Sequence, residues 1–141
     1  MKDWGFQLLN LHLAHELPYS NWEIGMKVAI SVWENRVAPL FDAAGHILLV
    51  SGQKAHNWKQ ELLTVDSLTV FQRLGLLRKL KVDLFICGGI TVPILEQIRN
   101  IPIQTIPFIC GNVDTIIEAV MKGKDLRAMF SMPGHSRKES S

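Results

Sequence analysis

The apolar residues of this chain change their spacing at about residue 66, and that change limits the folds open to it. Three β-rich runs precede it: MKVAISV from Met26, HILLV from His46 and NWKQELLTV from Asn57. After it, apolar runs alternate with segments of helical spacing. Three consecutive strands with modest connections predict an antiparallel meander. The later strands are reached through helices and are therefore predicted to lie parallel.

The second half of the chain predicts three helices and two further strands. The predicted helix starts are Asp66 or Ser67, Thr91 and Asn112. The last helix is expected to end at Gly123, a residue that suits a helix C-terminus. The run VDLFICGG is typical of a buried parallel strand, and IPIQTIPFICG supplies the fifth strand. The basic residues of the first helix are predicted to form a solvated face: Arg73, Arg78, Lys79 and Lys81.

The most economical architecture is one mixed five-stranded sheet of the α/β class, flanked by helices. Strand 1 is central, the meander lies on one side, and strands 4 and 5 lie on the other. This is also the layout of ribonuclease H-like folds. A nuclease with that layout needs several carboxylates that converge on the sheet. The carboxylates Asp42, Asp66 and Asp83 are dispersed, so we do not expect nuclease activity.

The net charge and the number of cysteines limit which partners and which cellular compartment we expect. A net charge of +2 in 141 residues is too small to indicate nucleic acid or an acidic membrane. Two cysteines do not indicate a disulfide scaffold, so we expect a reducing, cytoplasmic location. Residues 1–25 contain neither a cleavage site nor a membrane-length apolar run. The predicted division is an N-terminal extension (1–25), an α/β domain (26–123) and a partly disordered tail (124–141). The extension is interpreted either as an added arm or as the result of a start codon placed too early.

A candidate site follows from the predicted topology. Strands 1, 4 and 5 end at the same edge of the sheet, where ligands of open α/β sheets bind. That edge gathers the segment Trp33–Asp42, the run Cys87-Gly88-Gly89 and the run Cys110-Gly111-Asn112. Two helix N-termini there offer N–H donors suited to an anion.

The residues alone leave several interpretations open at this edge. Cys87 is either core packing or a ligand, and the same two interpretations hold for Cys110. Arg36 either contacts an anion or is an ordinary surface charge. His12 and His15 lie three residues apart, but without a nearby third ligand they are expected to be a surface pair.

Three stretches resemble one known family: MKVAISVWENRVAPLFDAAGHILLV, VDLFICGGI and PFICGNVDTIIEAVMKGKDL followed by FSMPG. From Met26 to Gly134 the chain is similar to the nitrogenase iron-molybdenum cofactor biosynthesis family. That family includes carriers of the NifX and NafY type and the C-terminal domain of NifB. The resemblance implies a ribonuclease H-like fold and a carrier or accessory protein without catalysis of its own.

The resemblance also implies a chemistry for the edge. An iron-sulfur or iron-molybdenum cluster is a polyanion held by thiolate or imidazole and steadied by N–H donors and cations. The implied metal ligands are Cys87, Cys110 and His135, which follows the MPG motif. The implied cluster-binding residues are Cys87, Gly88, Gly89, Cys110, Gly111, Asn112 and Arg36. Several cofactor-carrying members have a histidine ligand where this chain has Leu40.

Two functions of different classes follow. The first is a non-enzymatic carrier of an iron-sulfur or iron-molybdenum-type cluster, with cluster donor or acceptor proteins as partners. It involves neither nucleic acid nor membrane, and the protein is expected to be a monomer or weak homodimer. The second is an interaction or regulatory module that binds a small anionic ligand or a protein without metal.

Overall fold

Residues 26–54 and 57–134 are described by the computed structural model, and they form a mixed sheet with helices on both faces. The strands are β1 (Met26–Trp33), β2 (Arg36–Val37), β3 (His46–Lys54), β4 (Asn57–Thr64), β5 (Leu84–Ile86) and β6 (Gln104–Ile106). The helices in these ranges are α1 (Val70–Lys79), α2 (Val92–Arg99), α3 (Val113–Met121) and α4 (Leu126–Phe130). The predictions for residues 1–25 lie outside the described residues.

The sheet has the strand order β4-β3-β1-β5-β6. Strand β1 pairs antiparallel with β3 and parallel with β5, and β5 pairs parallel with β6. The meander therefore lies on one side of β1 and the two crossover strands on the other. This order confirms the arrangement predicted from the change in apolar spacing.

The predicted count of five strands is wrong, because the described residues form a sheet of six. The additional strand, β2, pairs antiparallel with the end of β1, with Val32 opposite Val37 and Trp33 opposite Arg36. The chain reverses at Glu34, whose φ of 56° is in the left-handed region. A two-residue strand has too short an apolar pattern to be seen in the sequence.

Helix α1 begins later than the sequence analysis placed it. Its N-cap is Thr69, not Asp66 or Ser67. The Gln72 N–H donates to Thr69 Oγ1 at 3.1 Å, and the Thr69 N–H donates to Gln72 Oε1 at 2.9 Å. This reciprocal capping box satisfies two donors at once, which neither earlier residue achieves.

Two other helix starts agree with the sequence, and α4 is an element that it did not predict. Thr91 and Asn112 are the N-cap residues of α2 and α3. Helix α4 begins after Asp125, and its Leu126 is 4% exposed. Apolar side chains within a short polar stretch gave too little periodicity for a helix prediction.

Each face of the sheet carries its own apolar core. One core packs beneath α3 and α4 and includes Val28, Ile30, Ile86, Ile116 and Leu126. The other packs beneath α1 and α2 and includes Phe41, Leu74, Phe85, Cys87 and Ile98. Within the described ranges, no helix is long and apolar enough to cross a membrane.

Candidate functional site

Three parts of the chain meet where β1, β5 and β6 end, at the carboxyl edge of the sheet. They are the connecting segment (residues 34–45), the glycine loop (residues 87–89) and the asparagine turn (residues 110–112). Backbone hydrogen bonds join the connecting segment to both of the others. The edge is therefore an interlocked unit and not three separate loops.

The glycine loop lies directly against the connecting segment. The Gly89 N–H donates to the Pro39 carbonyl at 2.7 Å, and the Phe41 N–H donates to the Gly89 carbonyl at 2.9 Å. A Cβ at Gly88 would overlap the Ala38 carbonyl oxygen and lie 2.8 Å from that of Pro39. Glycine at position 88 thus permits a backbone approach that no side chain allows.

The asparagine turn holds the same segment from the other side. The Val37 N–H donates to the Gly111 carbonyl at 3.0 Å, and the Val113 N–H donates to the Asn35 carbonyl at 2.9 Å. The connecting segment therefore bridges the ends of β5 and β6, although it follows β1 in the chain.

Side chains of the connecting segment divide between core and surface. Val37, Ala38 and Phe41 are buried, and Phe41 is completely so. Trp33, just before the segment, is 58% exposed, and Leu40 within it is 53% exposed. The buried residues fix the segment on the sheet, and the exposed residues leave apolar surface at the edge.

Cys87 is part of the core. Its side chain is completely buried among residues that include Phe41 and Phe85, whose rings meet edge-to-face at 5.5 Å. Burial raises the pKa of the Cys87 thiol to about 12. A thiol must lose its proton to bind metal, so the folded protein disfavours Cys87 as a ligand.

Cys110 occupies the corresponding place after β6 but is only partly buried. Its thiol donates to the Ser131 carbonyl with an Sγ to O distance of 3.7 Å, and its N–H donates to the Phe130 carbonyl at 2.8 Å. Gly111 follows with a φ of 136°. The chain after α4 therefore fixes Cys110 while leaving part of it at the surface.

Arg36 lies in the same part of the edge. It is exposed and forms an isolated antiparallel bridge with Asn112, two residues after Cys110. On its other side it pairs with Trp33 of β1. The backbone thus brings a cation, an exposed aromatic residue and the asparagine turn into one row.

The start of α3 does not offer unused donors to an anion. The N–H groups of Asp114 and Thr115 donate to Asn112 Oδ1 at 2.9 and 3.3 Å. The N–H of Val113 is bonded to Asn35, as described above. Asn112 therefore acts here as a helix cap, and protein acceptors occupy the donors that we expected for an anion.

The start of α2 is capped less completely. Thr91 has the backbone conformation of an N-cap, but its side chain makes no capping hydrogen bond, and Pro93 in the first turn has no N–H. At this edge the first N–H groups of α3 have hydrogen-bond acceptors within the protein, whereas those of α2 have no acceptor from a capping side chain.

The described residues include two of the three predicted metal ligands, Cys87 and Cys110. His135 lies outside the described residues. In residues 26–54 and 57–134, no three or more His, Cys, Asp or Glu side chains are grouped so that they could hold a metal ion. Of the two predicted cysteine ligands, Cys110 is the one that is only partly buried.

Arg73 is a structural residue of this edge that the sequence analysis misplaced. Predicted to be solvated, it is 4% exposed. Its guanidinium donates to the carbonyls of Phe41 (3.0 Å), Ala44 and Leu68 (3.2 Å). The available signal was its position next to Leu74, on the apolar side of α1. Arg73 fastens the connecting segment to that helix.

Ser31, on β1, also escaped the sequence analysis. Its side chain is completely buried, and its hydroxyl oxygen has no hydrogen-bond partner among the described residues. The backbone of the same residue accepts from the Ala38 N–H at 2.8 Å. The residue that carries this buried hydroxyl is therefore bonded through its backbone to the connecting segment.

Neither a family model nor a curated relative matches the chain. Solved structures with the same fold do exist. The structure described as "Crystal structure of PH0822" has a TM-score of 0.64 and 18% identity, covering 70% of this chain and 91% of that one.

Two further structures are of one protein, named "putative dinitrogenase (MJ0327)", from Methanococcus (Methanocaldococcus) jannaschii. The NMR structure has a TM-score of 0.58 and 21% identity, covering 70% of this chain and 89% of that one. The crystal structure has a TM-score of 0.57 and 20% identity, covering 71% and 91%. At such identities the likeness shows a shared fold.

Proposed function

We propose that this protein is a non-catalytic carrier or accessory protein that binds an iron-sulfur or related metallocluster at the carboxyl edge. The observation that carries the proposal is Cys110, a partly buried free cysteine that is fixed beside the row that contains Arg36 and Asn112. The shared fold with a protein named putative dinitrogenase adds support. The sequence resemblance to the nitrogenase cofactor biosynthesis family also supports the proposal. On the basis of that resemblance, we propose that the fold is ribonuclease H-like.

The chemistry of the described residues fits such a cargo in part. A thiolate is a ligand for iron, and a guanidinium balances the negative charge of a cluster. With one cysteine in the described residues that is not fully buried, the cluster would keep positions for ligands from elsewhere. His135 is one such candidate, because it follows Ser131 by four residues in the sequence. A carrier with few ligands of its own can release its cargo to an acceptor protein.

Backbone strain supports a functional role for this part of the edge. Phe108, just before the asparagine turn, has a φ of 63°. A bulky residue in the left-handed region costs about 1–2 kcal/mol. The conformation is stabilised by bonds of Phe108 to the Gly88 carbonyl and the Met132 N–H, at 2.9 and 2.8 Å. Such strain is concentrated at functional sites.

The carrier proposal includes a reducing cytoplasmic compartment and cluster donor or acceptor proteins as partners. Both cysteines are free thiols, as that compartment requires. The carrier proposal does not use position 40 as a ligand. Several family members have a histidine there, but the Leu40 of this chain cannot bind metal.

Anaerobic reconstitution with ferrous iron and sulfide tests the proposal. We expect the wild type and Cys87→Ala to bind iron and sulfide with visible charge-transfer absorption. Cys110→Ser should bind iron about tenfold more weakly or worse, because a ligand is lost. Iron and sulfide content are measured after gel filtration, and circular dichroism verifies that each variant is folded.

Two outcomes contradict this proposal in different ways. A colourless wild type with background iron excludes cluster binding by this chain. Equal loading of Cys110→Ser and the wild type leaves carriage possible but excludes Cys110 as the ligand.

A second candidate, a metal-free interaction module, is favoured by the exposed Trp33 and Leu40 at the same edge. In that case Trp33→Ala weakens binding to a partner, and Cys110→Ser has no effect. A thermal-shift screen with phosphorylated metabolites tests the small-anion form of this candidate, because native-state binding raises Tm.

A further inference from the structure

Strand β4 is the last strand of the meander and forms one edge of the sheet that the described residues build. Within the described residues it pairs with β3 alone, and it stands at the end of the strand order. Four consecutive residues, Lys59 to Leu62, are exposed. A strand of eight residues with one unpaired side offers a row of backbone donors and acceptors to another strand.

The charges on β4 are arranged symmetrically about Gln60. Lys59 precedes it and Glu61 follows it, and both point to the face of the sheet that carries α1 and α2, since Glu61 is opposite Leu49. Edge strands often carry charges that prevent pairing with another chain. Here, an antiparallel second copy centred on Gln60 would place Lys59 opposite Glu61 twice, once on each side of the centre.

The opposite face of β4 has a matching apolar pattern. Trp58 and Leu62 point to the α3 face, because Leu62 is opposite the core residue Leu48 and Trp58 packs on the same core. Leu62 is 58% exposed, so its own chain leaves it largely uncovered. In the register centred on Gln60, Leu62 lies opposite Trp58 of the second copy, and such aromatic–aliphatic pairs stabilise sheets.

Other registers lose these matches. Centring on Lys59 or on Glu61 places like charges directly opposite each other. A shift of the pairing by one residue turns the second copy over. The α3 face of one chain, with Trp58 and Leu62, is then continuous with the α1 face of the other chain. A parallel arrangement in register places Lys59 beside Lys59. The sequence of β4 thus favours one antiparallel register.

We propose that β4 is a self-association surface, and that a second copy of this chain pairs with it antiparallel about Gln60. The result is a two-fold symmetric dimer with one continuous sheet, in which both copies use the same residues. The carboxyl edge of each copy stays open, because β5 and β6 lie on the far side of β1. The proposal is independent of any cargo.

Charge-reversal variants of the full chain test the surface. Sedimentation equilibrium should show the wild-type mass rising with concentration from 15.9 kDa towards twice that value. Lys59→Glu and Glu61→Lys should each raise the dissociation constant about tenfold or more, because each introduces two like-charge pairs. Lys79→Glu and Glu96→Lys change the net charge equally at exposed helix positions, and they should leave the constant unchanged.

A mixture of the two single variants gives the most specific result. Lys59→Glu carries two acidic residues around Gln60, and Glu61→Lys carries two basic residues. Neither should pair with itself, whereas a one-to-one mixture should form a heterodimer, and the double variant should dimerise like the wild type. A monomeric wild type at every concentration overturns the proposal. It is equally overturned if the single variants dimerise like the wild type, or if the mixture fails to associate.

Discussion

Cys87 and Cys110 follow adjacent parallel strands at the same edge but differ in chemistry. Cys87 points into the core beneath α1 and α2, where burial raises the pKa of its thiol to about 12. Cys110 is partly exposed, with Ser131 as its hydrogen-bond partner. The carrier proposal therefore assigns them different roles, packing for the first and ligation for the second.

The buried thiol predicts a pH dependence of stability. The unfolded chain releases the Cys87 proton near pH 9, whereas the folded protein keeps it to about pH 12. The free energy of unfolding should therefore fall as pH rises through this window, by about 1.4 kcal/mol at pH 10 from this group alone. Urea unfolding at pH 8 and 10 measures the fall, which should be smaller by that amount in Cys87→Ala. An equal fall in both proteins contradicts the assignment.

The sequence could place these residues at one edge but not set their exposure. Each cysteine ends an apolar run, so their local patterns are alike. Their difference comes from what surrounds each one: Cys87 belongs to the core that includes Phe41 and Phe85, whereas Cys110 lies beside Ser131. Such coverage depends on residues distant in the chain, which local spacing does not specify.

At the scale of elements, the connecting segment is fixed by a helix that follows it by two strands. The Arg73 guanidinium in α1 bonds the carbonyls of Phe41 and Ala44 near the end of that segment. A third bond, to Leu68, joins it to the turn before the helix. Arg73 thus supplies donors to three backbone carbonyls, one of which, that of Phe41, also accepts from the Ala44 N–H at 3.3 Å.

Removing this guanidinium should destabilise the fold substantially. Arg73→Met keeps much of the side chain's length but removes the guanidinium donors of three carbonyls, of which, among the described residues, that of Phe41 alone keeps a bond, from the Ala44 N–H. The loss should cost about 2–4 kcal/mol. The matched control is Arg78→Met, at an exposed position of the same helix, with an expected change below about 0.5 kcal/mol. Urea unfolding compares them. Similar losses in both would mean that Arg73 contributes no more than a surface arginine.

Element prediction succeeded where the determining interactions are local. Asn112 caps α3 through residues two and three positions later, so the sequence contains the whole motif. Strand β2 was missed because it is held by β1 and, through Val37 and Gly111, by the turn after β6. Its partner in β1 is close in the chain, but two residues are too few to form an apolar pattern, and Gly111 is far away in the sequence.

At the scale of the whole molecule, the strand order followed from the sequence because few topologies satisfy its constraints. A meander followed by two right-handed crossovers leaves a central place for β1. The structure of the C-terminal part, in contrast, was not predicted from the sequence. Residues after Lys124 form α4 and then an isolated bridge between Ser131 and Ile109.

This C-terminal part should contribute measurably to global stability. A chain that ends at Lys124 loses the buried Leu126 and the backbone partners of Cys110 and Phe108. The expected loss in unfolding free energy is about 3 kcal/mol or more. Met129→Ala, at a 54% exposed position of α4, should change it by less than about 0.5 kcal/mol. If the shortened chain were as stable as the wild type, the C-terminal part would contribute nothing to the free energy of unfolding.

The interlocked carboxyl edge has a consequence for the order of assembly during synthesis. The connecting segment is made early, yet its backbone partners Gly89, Gly111 and Val113 belong to the later part of the chain. Contacts between such distant residues form late in folding. A nascent chain emerging from the ribosome can pair its meander first, but its edge is incomplete until Val113 has been added. Under the carrier proposal, cargo would therefore be received by the finished protein and not by the growing one.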